Sequence, residues 1–233
     1  MKNTGMCWLF VGIFGFGIAT SVVAESTADT QGQSLYHEAL ALHQKTPKAH
    51  HEIFAAYVAA SQAGSADASF MVAQSYYQGR LGQKQDVKKA QAYIDQAIAA
   101  GSAQAKILQA EIWLKAQNRE DRQKAIQILQ PLEKDNLYAA RHLLAMIYLD
   151  AVNSTEAEIG EGLKLLQQNQ RAGYVPSVEV VAWMFENGHL VAENLTLSKQ
   201  LYEVLAKNQV PNMQTNIERV NQKIKARAAE KKL

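Results

Sequence analysis

Residues 66–101 read ADASFMVAQSYYQGRLGQKQDVKKAQAYIDQAIAAG, and the chain repeats their pattern downstream. A small residue recurs at Ala73, Ala110, Ala145 and Ala182, and an aromatic follows three places later at Tyr76, Trp113, Tyr148 and Phe185. A second small residue comes three places after that, at Gly79, Ala116, Ala151 and Gly188. The spacings are 37, 35 and 37 residues. A period in that range is the mark of stacked supersecondary units. Each unit parses as two antiparallel helices. In the quoted unit the first helix is expected over Ala66–Gln78. Gly79 ends it, because glycine readily takes the left-handed cap conformation. Asp86 then offers its carboxylate as an N-cap for a second helix over Val87–Ala100, which Gly101 stops.

The second unit repeats D-x-x-K-A with Asp121 and Ala125, so Asp121 is its expected cap. Pro131 should kink or shorten the helix that follows. The third unit puts Glu158, Glu161 and Gly162 in those places, and the fourth puts Asn194, Leu197 and Ser198 there. The units close at Gly64, Gly101, Asn136, Gly173 and Gln209. At about 100° per residue, positions 3, 7, 8 and 11 of the first helix share one face. Counting Ala73 as position 8, position 3 is Ala68, Ala105, Ala140 and Ser177. Small groups there let the partner helix approach closely.

The pattern carried by Ala66, Ala68, Ala73, Tyr76, Gly79, Asp86, Lys89, Ala90, Tyr93, Ala97 and Gly101 resembles the Sel-one-like repeat family, a relative of tetratricopeptide repeats. The resemblance implies an all-α fold, a right-handed α-solenoid of antiparallel helix pairs. It spans four repeats over 66–210. A degenerate helix pair at 34–65 precedes them, and a capping helix with a basic tail at 211–233 follows. Met213, Ile217, Val220 and Ile224 form the apolar stripe of that last helix.

The first 24 residues read as a secretory signal. One positive charge, Lys2, precedes an apolar stretch, and Val22 and Ala24 supply small residues for cleavage after Ala24. The apolar run from Met6 to Ala24 is also close to the ~17 residues that a membrane span needs, so a retained anchor is the competing reading. Residues 25–33 are polar and small and read as a disordered linker. The only cysteine is Cys7, inside the signal, so the exported chain would form no disulfide and no thiolate metal site. The formal net charge of +2 falls to +1 without Lys2, which gives no reason to expect nucleic acid. With only 4 prolines and 13 glycines, and no period-two run, the composition favours helix throughout.

No spacing of His, Ser, Cys or carboxylates matches a catalytic or metal-ligating motif, so no catalytic residue, metal or cofactor is expected. His50-His51-Glu52 reads as a solvated helix start. In tetratricopeptide-like solenoids the first helices line a concave groove with positions 2, 5, 9, 12 and 13. Here those positions hold Asp67, Phe70, Gln74, Tyr77, Glu111, Leu114, His142, Met146, Trp183 and Glu186. Phe70, Tyr77 and Trp183 would be exposed aromatics edged by acids, a surface that fits a peptide carrying Lys or Arg. The alternative is that Phe70 and Trp183 pack on neighbouring units or under the cap. In the tail, Arg219, Lys223, Lys225, Arg227, Lys231 and Lys232 outnumber Glu218 and Glu230, so a membrane or glycan contact is a second possible partner surface. The resemblance implies a periplasmic, non-catalytic scaffold or adaptor supporting the assembly or regulation of an envelope machine, type VI secretion among them. A peptidoglycan-binding or -modifying protein and an immunity-type inhibitor are the alternatives.

Overall fold

The structure is a computed structural model. It describes residues 19–115, 118–135, 137–150 and 152–230, with side chains from residue 31 onward. The expected signal peptide therefore falls largely outside the described residues. Among the described residues there are eleven helices and no strand. They are α1 (Ala19–Lys45), α2 (His50–Gln62), α3 (Ala66–Gln78), α4 (Val87–Ala99), α5 (Ala103–Lys115), α6 (Arg119–Lys134), α7 (Tyr138–Tyr148), α8 (Glu156–Arg171), α9 (Val175–Asn187), α10 (Leu195–Lys207) and α11 (Met213–Glu230). No described helix is long and apolar enough to cross a membrane. The chain packs as two compact units that divide within α5, after Ala105.

In the first unit α2 packs between α1 and α3, and α4 packs on α3. The start of α3 is fixed by Ser65, whose hydroxyl accepts from the Ala68 amide at 3.1 Å. Its end is fixed by Gly79 at φ 66°, in the left-handed region. Asp86 caps α4, accepting from the Lys89 amide at 2.9 Å. Caps of this kind stabilise a helix by about 1 kcal/mol. The buried centre of α1–α3 is Ala39, Ile53, Tyr57 and Val72. His43 Nδ1 lies 3.1 Å from the Tyr57 hydroxyl, which gives that buried polar group a partner.

The expected disordered linker at 25–33 is helical instead, because α1 runs through it. Near the end of that stretch, Gly32 packs against the connection between α2 and α3. It is buried, and a Cβ there would come within 2.7 Å of the Ala63 carbonyl oxygen and of the Ser65 amide nitrogen. Only glycine permits that backbone approach.

The second unit runs from Lys106 through α6–α11, and each helix from α6 onward packs on the next. The repeat register holds. Ala68, Ala73, Ala105, Ala110, Ala140, Ala145, Ser177 and Ala182 are all fully buried. The closing residues Gly64, Gly101, Gly173 and Gln209 all have positive φ; Asn136 lies outside the described residues. Three expectations about the second helices change. Asn118, not Asp121, caps α6, accepting from the Asp121 amide at 2.8 Å. Asp121 lies in the first turn, where its carboxylate accepts from the Asn118 side-chain amide at 2.7 Å. Thr155, not Glu158, caps α8, and the two form a capping box. Pro131 does not shorten α6, which continues to Lys134. It sits in the last turn, and the Asp135 amide still bonds to its carbonyl at 3.3 Å. At the C-terminal end α10 and α11 bury Tyr202, Leu205, Met213, Ile217 and Val220 against Val178 and Ala182 of α9.

Candidate functional site

The first helix of each pair carries the expected binding face, and the two units hold different parts of it. In the first unit Asp67 accepts a 3.2 Å hydrogen bond from Gln33 of α1. Phe70 and Gln74 are half-buried on α3. Tyr77 is only 9% exposed, which corrects its expected place as a surface aromatic. In the second unit Glu111 of α5, Met146 of α7 and Trp183 of α9 are exposed, while Leu114 and His142 are half-buried. Glu186 is 1% exposed, so it is not a rim acid.

Tyr77 and Glu186 share position 12, as does Leu149, which is also buried. On a helical wheel position 12 lies about 40° from the buried position 8. It is therefore a flank rather than an outward face. Positions 9 (Glu111, Met146, Trp183) face solvent squarely.

Glu186 shows what covers that flank. Arg219 of α11 donates to its two carboxylate oxygens at 2.7 Å each. Lys223 of the same helix reaches it at 2.9 Å, and the Tyr202 hydroxyl of α10 donates to it at 3.3 Å. The Arg219 hydrogen bonds, followed by Lys223, outweigh burial and hold the Glu186 carboxyl at about 2. The cover is thin, since the half-exposed side chains of Arg219 and Lys223 supply much of it. The tail's cations are thereby partly engaged. Arg227 is also paired, with Glu193 at 3.3 Å and Glu230 at 3.1 Å. Lys231 and Lys232 lie outside the described residues.

His142 is held by the hydroxyl of Ser177, 2.9 Å from Nδ1. Asn169 donates to the same oxygen at 3.0 Å, so the serine proton is free to point at Nδ1. Burial lowers the His142 pKa. Glu111 has an exposed side chain, yet the neighbouring helices displace enough water to raise its carboxyl, and Lys115 one turn on pulls it back. The Tyr174 hydroxyl is raised by burial and then by the Glu111 charge.

Two clefts open beside this strip. The first, about 470 Å³, is lined by Met146, Leu149, Glu179, Trp183, Tyr202 and Arg219, among others. The second, about 830 Å³, is more polar and runs from Leu114 past Arg119 and Arg122 to Met146 and Glu158. The Trp183 ring lies 5.3 Å from that of His189, which also lines the first cleft. Tyr202, Asn216 and Arg219 were not legible as lining residues because they come from a second helix and from the cap. A signal existed for Arg219: it follows Glu186 by 33 residues, about one repeat.

Among the described residues the fold is an all-helical repeat, and the exposed groups on the first helices of its second unit lie beside two clefts. No protein-family model matches the sequence, and no curated protein does either. Among solved structures the fold is similar to that of a protective antigen present in uropathogenic Escherichia coli strains, which displays an SLR fold. The identity is 14% and the TM-score 0.68, over 87% of this chain and 44% of that one. This chain thus spans less than half of that protein's length. It is also similar to a Sel1 repeat protein from Oxalobacter formigenes, at 16% identity and TM-score 0.63, over 85% of this chain and 88% of that one. The likeness establishes the fold, a Sel1-type α-solenoid.

Proposed function

We propose that this protein is an exported, non-catalytic scaffold that holds a segment of another protein on the first-helix face of its second unit. The carrying observation is the pair of large apolar side chains left in solvent there. Trp183 is 47% exposed and Met146 41% exposed, and both line one cleft of about 470 Å³. Exposed apolar groups that converge on a cleft are the usual anchor of a protein contact. Glu179, which lines the same cleft, suits a partner segment that carries Lys or Arg. Tyr77 has no part in this reading, since it is buried. The compartment we favour is the periplasm, and the role is assembly or regulation of an envelope machine, with type VI secretion the case that the family resemblance suggests. The secretory pattern at residues 1–24 supports export.

Two expected results test this reading. Trp183→Ala combined with Met146→Ala should weaken partner capture from periplasmic extract by about thirtyfold or more, the effect of removing a binding hot spot, with far-UV circular dichroism unchanged. Capture at wild-type strength would place the binding surface elsewhere. Mass spectrometry of the chain expressed in a Gram-negative host should find Glu25 at the N-terminus, and a full-length membrane-bound product would contradict export by cleavage.

A further inference from the structure

Glu186 is an acid in the sequence, but the folded chain presents it as the centre of a basic edge. One buried carboxylate faces two cations, Arg219 at 2.7 Å and Lys223 at 2.9 Å. Arg219 lines the first cleft and Lys223 stands about one turn beyond it on α11, so this group carries one positive charge in excess. Glu179 lies one helical turn before Trp183 and lines the same cleft. It is half-buried and makes no ion pair among the described residues. Between these edges the lining is apolar: Met146, Leu149, Val180, Trp183, Met184 and Leu190.

We propose that this cleft takes an extended protein segment in one direction only, with a large apolar side chain seated against Trp183 and Met146, a basic residue toward Glu179, and an acidic residue toward Arg219 and Lys223. The argument is charge complementarity across an apolar centre. A like charge brought against either edge costs binding, so the order of the two charges is read as well as their presence. The inference rests on the reading that this face binds a protein segment. It adds the acidic requirement, which the sequence alone hides because Glu186 counts there as an acid of the groove.

Random 12-residue peptides displayed on phage and selected on the whole chain supply the probe. The tightest peptide is then measured by titration calorimetry against Lys223→Gln and Glu179→Gln, with each peptide charge replaced by Gln in turn. Arg219 still holds Glu186 in Lys223→Gln, so that variant keeps the fold. The expected result is pairwise coupling of about threefold or more between the peptide acid and Lys223, and between the peptide base and Glu179, with none across. Exchanged couplings, or none in either pair, would overturn the inference while leaving the binding face in place. Failure of any peptide to bind, or binding indifferent to Trp183→Ala, would overturn both. Co-sedimentation with phosphatidylglycerol vesicles, lost in Lys223→Gln and unchanged in Trp183→Ala, would assign the basic edge to a membrane and overturn it as well.

Discussion

Replacing Arg219 and Lys223 together with alanine is expected to destabilise the second unit by about 2–4 kcal/mol. The double variant leaves the Glu186 carboxylate on the flank of α9 without its counter-ions, and an unpaired charge in a covered site is costly. The figure sits at or below the usual range for a fully buried pair, because removing the two side chains also lets water in. The same pair sets a pH dependence. The Glu186 carboxyl is held at about 2 in the folded chain, against an ordinary 4.5. A depressed carboxyl contributes stability that is complete above about pH 4.5 and lost as pH falls toward 2. Linkage sets that contribution on the order of 3 kcal/mol. Urea unfolding between pH 7 and pH 2.5 should show the loss in the wild type and a much smaller loss in Glu186→Gln. Equal slopes in the two would mean that the ion pair does not hold the cap.

Ala145→Leu and Ala73→Leu should each cost about 1–3 kcal/mol by overpacking a helix–helix contact. Both alanines are fully buried in their own units. At Ala145 the approach is especially tight. A Cβ built on Gly162 of α8 would meet the Ala145 carbonyl oxygen at 3.1 Å and the Tyr148 Cβ at 3.0 Å. A leucine in α7 must therefore push α8 away or leave its rotamer wells. Thermal unfolding should report a fall of several degrees for each variant. No change in either would mean that the small residues at position 8 are not the contact points of the repeat.

Much of the fold was readable because the signals are local. Gly79, Asp86 and Asn194 act through the backbone of their own turn, and all three do what their residue types predict. The buried small residues repeat at a fixed spacing, so one unit interprets the others. The misplaced caps have a common cause. Aligning Asp121 and Glu158 with Asp86 assumes equal loop lengths, whereas Asn118 and Thr155 start their helices three residues earlier. In both cases the acid was the third residue of the first turn, a place where the helix dipole also favours a carboxylate. The candidate site was less legible. At position 9 Met146 and Trp183 are exposed, pointing away from the helix partner, while Gln74 is half-buried. Position 12 departs from expectation, because other helices cover it: α8 packs on Leu149, and α10 and α11 reach Glu186. Glu186 meets its cations 33 and 37 residues later, and no pattern within α9 reveals them.

The central claim is that the first-helix face of the second unit is the binding surface. A photo-crosslinking residue placed in turn at Met146, Trp183 and Val204 in living cells tests it most directly. Val204 is a fair control, an exposed apolar residue on α10, a second helix of the same unit. The account predicts one discrete crosslinked partner from positions 146 and 183 and none from 204. Crosslinking to the same partner from 204, with none from 146 or 183, would contradict it.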